Sequence, residues 1–129
     1  MDDDATIYLA KAVESLQTAE SEFANGRYNC CANRCHYACF QAAIAALMCE
    51  GIQPRGRWTH ESVQAQFAGQ LINRRKRFSA GLGHVLPDNQ TLRVEADYRP
   101  KHVTDTQAGR ALRKARMFVN AIQQRSETH

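Results

Sequence analysis

Glycine, proline and β-branched runs are all scarce in this chain, which has seven glycines and three prolines in 129 residues. Few turn formers and few strand formers argue against a sheet protein built from many short strands. No stretch approaches the roughly 20 apolar residues that a membrane span needs, so no membrane partner is expected. The opening Met1-Asp2-Asp3-Asp4 is acidic and has no apolar signal core, so a cytoplasmic location is expected. A second cysteine pair is also missing. Four of the five cysteines fall between positions 30 and 39, and Cys49 stands alone. Zinc sites draw converging ligands from two segments. Cys31, Cys35 and Cys39 instead recur every four residues on one helical face and read as small apolar residues that let helices approach closely. No metal and no cofactor are expected.

Alanine, leucine, glutamine and arginine dominate what is present, and all four favour helix. Hydrophobic residues make up 43% and charged residues 23%, a globular balance. The length suits one domain over residues 1–129.

Periodicity marks the helices. Leu9, Ala12, Leu16, Ala19 and Phe23 recur at 3-4-3-4 spacing in a first helix from about Ala5 to Ala24, with the acidic start at its positive end. Asn25-Gly26 stops it. A second helix, about Tyr28 to Cys49, carries Cys31, Cys35, Ala38, Ala42, Ala45 and Cys49 on one stripe and forms an antiparallel hairpin with the first. Gly51 and Pro54 end it. Thr59 caps a third helix, about His60 to Arg77, whose buried side includes Val63, Phe67 and Leu71. Gly81, Gly83, Pro87 and Asp88-Asn89 interrupt the next stretch, and a shorter helix resumes near Asp88 and ends before Pro100. Thr104-Asp105-Thr106-Gln107 reads as a capping box. It opens a last helix to about Gln124 with a stripe of Ala108, Leu112, Ala115, Val119 and Ile122. The expected fold is all-α, an up-and-down bundle of four to five helices.

Net charge is +4, unevenly spread. Residues 1–26 hold six acids and one base, net −5; the remainder holds 16 bases and seven acids, net +9. Two basic clusters stand out: Arg74-Arg75-Lys76-Arg77, and Arg110, Arg113, Lys114 and Arg116. A basic half favours phosphate-rich partners, although either cluster alone is also an ordinary solvated surface.

Arg34, Tyr37 and Gln41 share a face of the second helix next to the cysteine stripe. A guanidinium and a phenol one turn apart can grip a phosphate and stack on a base. The bland alternative is an internal anchor in which Arg34 pairs with Asp97 or Glu95. Arg93 can likewise pair with Asp97 four residues on, or converge with Arg34 and Tyr98 on a phosphate.

Asn33-Arg34-Cys35-His36-Tyr37-Ala38-Cys39-Phe40-Gln41-Ala42-Ala43 resembles the N-R-x-Y-Y-A-x-F-x-A-A helix of HEPN domains. Arg93-Val94-Glu95-Ala96-Asp97-Tyr98 is similar to the R-x-x-A-D-Y element before their last helix, and His60 matches a histidine at the start of the third. The resemblance implies one of two activities. Many members are metal-independent endoribonucleases whose Arg and His, four to six residues apart, meet across a homodimer interface. Others accompany a minimal nucleotidyltransferase in a toxin–antitoxin or substrate-binding pair. In this chain the catalytic histidine would fall at 39, 40 or 41, where Cys39, Phe40 and Gln41 stand. None of these replaces a neutral-pH acid–base group of that kind. His36 lies about 200° around the helix from Arg34 and is a poor substitute. The expected function is binding of RNA or a nucleotide through Arg34, Tyr37, Gln41, Arg93, Asp97 and Tyr98, as a homodimer and as partner of a nucleotidyltransferase, without efficient catalysis. The alternatives are a ribonuclease toxin using Arg34 with a displaced His60, and a purely structural module.

Overall fold

The computed structural model describes residues 3–54 and 56–128; Asp2 of the acidic start and His129 lie outside them. Five α-helices carry the chain, and no strand occurs among the described residues. They are α1 (Asp3–Ala24), α2 (Tyr28–Cys49), α3 (His60–Gln66), α4 (Val85–Tyr98) and α5 (Asp105–Thr128). The all-α bundle expected from periodicity is therefore the observed fold.

Local chemistry sets most of the boundaries. Gly26 and Gly51 take φ of 74° and 75° after α1 and α2, a left-handed turn that glycine adopts without steric cost. Thr59 and Ser62 cap α3 reciprocally. At α5 the Gln107 N–H donates to Thr104 Oγ1 (3.1 Å) while the Thr104 N–H donates to Gln107 Oε1 (3.0 Å), which is the capping box read from the sequence.

Three boundaries differ from expectation. The third helix does not run evenly to Arg77: after Gln66 it widens into a π-helix, Phe67–Arg74. The fourth begins at Val85 instead of near Asp88, because Pro87 falls in its first turn, where a missing N–H costs nothing. A short 3₁₀ turn, Ala80–His84, leads into it. The last helix continues past Gln124 to Thr128.

The core explains the cysteines and alanines. Cys31, Cys35, Ala38, Cys39 and Ala42 of α2 have no exposed surface, and α1, α4 and α5 all pack on this helix. Small side chains let three neighbours close on α2 at once; the Sγ atoms of Cys31 and Cys35 lie 4.0 Å apart inside it. Val63, Phe67 and Leu71 of the α3 segment are fully buried, as are Ala108, Ala115 and Val119 of α5. Phe67 meets Phe118 and Phe78 with ring centroids 5.1 Å and 5.4 Å away. No helix is long and apolar enough to cross a membrane among the described residues.

Candidate functional site

The N-terminal half of α2, the start of α3 and the end of α4 bring most of the polar candidates to one region. Asp97 stands in the last turn of α4, where a carboxylate faces the negative end of the helix dipole. Two donors offset that. Asn33 Nδ2 donates to Asp97 Oδ2 at 3.0 Å, and Arg93 Nη1 reaches the same oxygen at 3.5 Å. The Arg93–Asp97 pairing four residues apart is thus present but long.

Arg34 does not pair with Asp97 or Glu95 as the internal-anchor alternative required. Its Nε and Nη2 both donate to Asn33 Oδ1, at 2.9 Å and 2.6 Å. Asn33 therefore stands between the cation and the carboxylate, its oxygen holding Arg34 and its nitrogen holding Asp97. A neutral amide orients the guanidinium without cancelling its charge. Arg34 also lies over the Tyr37 ring, 5.0 Å from the centroid, a cation–π distance. Among the described residues Arg34 makes no ion pair.

Beside it opens a groove of about 720 Å³ between α1, α2 and the end of α4, lined by Asn29, Cys30, Asn33 and Arg34 of α2, Ala96, Asp97 and Tyr98 of α4, and Thr18 and Glu22 of α1. Tyr98 is 72% exposed, with the Arg93 guanidinium 5.6 Å from its ring centroid. Arg93 itself is buried; its Nη2 reaches Gln90 Oε1 at 3.3 Å, and its Nε has no hydrogen-bond partner.

On the other side of Tyr37 lies a histidine pair. His36 Nε2 is 3.1 Å from His60 Nδ1. The His60 ring packs against Phe40 and Tyr37 with centroids 4.8 Å and 6.4 Å away. His36 is only 2% exposed. Burial, then the charges of His60, Arg93 and Arg34, push its pKa down to about 3. Burial and Arg93 also lower that of His60. One nitrogen of the pair must donate and the other accept, so the two rings cannot both be charged and keep the bond. Both are neutral near pH 7, and His60 keeps partial access to solvent.

Gln41 is not brought to this region. Its side-chain amide lies 2.7 Å from Ser15 Oγ across the α1–α2 contact and also faces the Lys11 and Tyr37 carbonyls at 3.1 Å each, which an amide nitrogen turned inward would satisfy. Arg34, Tyr37, Arg93, Asp97, Tyr98 and His60 do gather. Two further members, Asn33 and His36, were given no role by sequence reasoning. The signal for Asn33 was its place beside Arg34 in the α2 motif; that for His36 was its i, i+4 relation to Phe40.

Comparison with known proteins fits this architecture. A model of the HEPN domain matches residues 5–125. A curated Methanocaldococcus jannaschii protein, described by name as a candidate toxin, is 29% identical over 111 residues, covering 86% of this chain and 80% of that relative.

Proposed function

Since the chain belongs to the HEPN domain family, we propose that it binds RNA or a nucleotide through a phosphate held at Arg34, as the binding member of a toxin–antitoxin-type pair. One observation carries this reading. Arg34 is held in place by a neutral amide and a tyrosine ring, with no ion pair among the described residues. A guanidinium fixed in that way keeps its charge and its remaining N–H groups for an incoming anion, and matches phosphate oxygens with two parallel bonds. Tyr37 on one side and the exposed Tyr98 on the other offer rings on which a base can stack. The similarity to a candidate toxin supports the toxin-associated part, and a minimal nucleotidyltransferase is the partner that this reading names. Homodimerisation and a cytoplasmic site of action belong to the same proposal. Efficient cleavage does not, because positions 39–41 hold Cys, Phe and Gln.

The test is equilibrium binding of labelled single-stranded RNA, and separately of a nucleoside triphosphate, to the unmodified protein and to Arg34→Ala. The variant should lose most of the affinity at low salt. Equal binding by both proteins would leave the arginine a purely structural brace.

A second reading has its own support. His60 packs beside Tyr37, which carries Arg34 on its ring, so a neutral imidazole and a cation flank one tyrosine. That arrangement favours a ribonuclease in which His60 acts as the base. Metal-free RNA cleavage that disappears in His60→Ala would replace the binding-only reading with this one.

A further inference from the structure

Asp97 commits only one oxygen of its carboxylate to the fold. Both of its donors, Asn33 Nδ2 at 3.0 Å and Arg93 Nη1 at 3.5 Å, reach Oδ2. Among the described residues Oδ1 accepts no hydrogen bond. An ionised carboxyl has about four acceptor positions and no donor, so the free oxygen needs an N–H or O–H from water or a ligand. The side chain is 28% exposed and lines the groove beside Arg34. A molecule seated in that groove can therefore touch both groups.

The rest of the groove is largely committed. Its charged residues are Arg34, Asp97 and Glu22, and Glu22 pairs with Arg27 at 3.3 Å. Asn29 accepts the Val103 N–H at 2.9 Å and meets His102 Nδ1 at 3.3 Å. Asn33 spends its oxygen on Arg34 and its nitrogen on Asp97. The charged groups with capacity left are the Arg34 guanidinium and Asp97 Oδ1. Asn33 also fixes how far apart they stand. Its two bonds measure 2.6 Å and 3.0 Å, which puts the guanidinium and the carboxylate within roughly 8 Å of each other. A single nucleotide can reach from one to the other, phosphate at Arg34 and base edge at Asp97.

A carboxylate is a poor component of a site for phosphate alone, because like charges repel. As an acceptor for a base it fits. Cytosine, adenine and guanine carry an exocyclic amine, whose N–H groups a carboxylate accepts, whereas uracil presents a carbonyl oxygen at the corresponding position. Buried Arg93 holds the acceptor and a stacking ring together: it bonds Oδ2 of Asp97, and its guanidinium lies 5.6 Å from the centroid of the exposed Tyr98 ring. A base stacked on Tyr98 lies next to Asp97 in the same groove.

We infer that Asp97 determines base specificity in this groove, its Oδ1 accepting from the exocyclic amine of a bound base and so selecting cytosine over uracil. The inference deepens the reading of Arg34 as a phosphate site, rests on it for the class of ligand, and adds which bases that ligand carries.

The test uses fluorescence anisotropy at low salt and without metal, with labelled oligocytidine and oligouridine of about six nucleotides, a length within the range of known single-strand sites. The two strands match in ring size and charge. Oligocytidine should bind about tenfold more tightly, the worth of one hydrogen bond to a charged group. A strand of pyrimidin-2-one ribonucleotides, which lack the amine, should fall to the level of oligouridine. Asp97→Asn presents an amide that donates as well as accepts, and should bring oligocytidine and oligouridine close to equal affinity. An Asp97 that only braces the end of α4 predicts the opposite pattern: the variant would weaken both strands alike and keep their ratio. Arg34→Ala separates the two ideas, since it should weaken both strands and preserve the preference. If it spares binding while Asp97→Asn abolishes the preference, the Arg34 reading fails and the Asp97 inference stands. If the unmodified protein binds both strands equally, or the pyrimidin-2-one strand as well as oligocytidine, the Asp97 inference is wrong whatever Arg34 does. If neither strand binds, both readings fail.

Discussion

His36 Nε2 and His60 Nδ1 meet at 3.1 Å across 24 positions of sequence, with His36 almost entirely withdrawn from water. The bond and the burial coexist only while His36 stays neutral. Protonating His36 would place a cation beside Arg93 and Arg34, whose charges already disfavour it.

Stability should therefore be lost in acid. The unfolded chain binds a proton at His36 near its ordinary value of 6.5, while the native protein resists until about pH 3. Between those limits the unfolded state holds the extra proton, so stability is fully present above 6.5 and falls as pH drops toward 3. The slope is about 1.4 kcal/mol per pH step for one such proton. His36→Gln keeps a donor toward His60 and removes the titration. Urea unfolding at pH 7 and pH 4.5 should show a smaller loss in the variant than in the unmodified protein.

Asn33→Asp tests the bridge between Arg34 and Asp97. A carboxylate at 33 would neutralise Arg34 and repel Asp97. A charge-assisted bond to a ligand is worth about 1.5–3 kcal/mol, so RNA affinity should fall by about tenfold or more. Asn33→Ala leaves Arg34 charged but unoriented, and its loss should be smaller. Titrations of one labelled RNA against both variants decide the order; equal affinities would remove Asn33 from the site.

Packing around α2 has little tolerance. Ala38→Leu inserts a large side chain where no surface is exposed and should cost about 1–3 kcal/mol. Phe118→Ala removes a ring packed against Phe67 and should cost about 3–5 kcal/mol. Denaturant midpoints with an unchanged slope would measure both.

The unmodified protein should not cut single-stranded RNA at the rate of an enzyme with a positioned acid–base group, whose loss costs about 10²–10⁴-fold. Gel assays without metal, run beside His60→Ala, provide the check. Gln41→His would restore the family spacing in sequence. Gln41 is tied to Ser15 at the α1–α2 contact, however, so that variant should cost stability and create no activity.

Sedimentation at micromolar concentration should give twice 14.5 kDa if the protein is a homodimer, as its family resemblance implies; the small-residue face of α2 is consumed by α1, α4 and α5 and is not the surface that would pair. A monomer across the accessible concentration range would refute this.

The helices, their stops and the core stripes were legible in the sequence because they depend on neighbours within a turn. Thr104 and Gln107 cap α5 from three residues apart, and Val63, Phe67 and Leu71 follow a spacing that any helix turns inward. The approach of Arg34 to Arg93 and Tyr98 was open in the sequence only as one of two alternatives, the other being internal pairing with Asp97. The details of the site were not legible. Asn33 reaches Asp97 across 64 positions, and His60 reaches His36 across 24. Both contacts depend on how α3 and α4 are placed against α2, which no spacing within one helix encodes. The same packing turned Gln41 toward Ser15, although it shares a nominal face with Arg34. The end of the third helix is a π-helix, which its apolar spacing does not signal. The sequence by itself determined which residues are helical and which faces are apolar; only the docking of those faces decided which polar side chains meet.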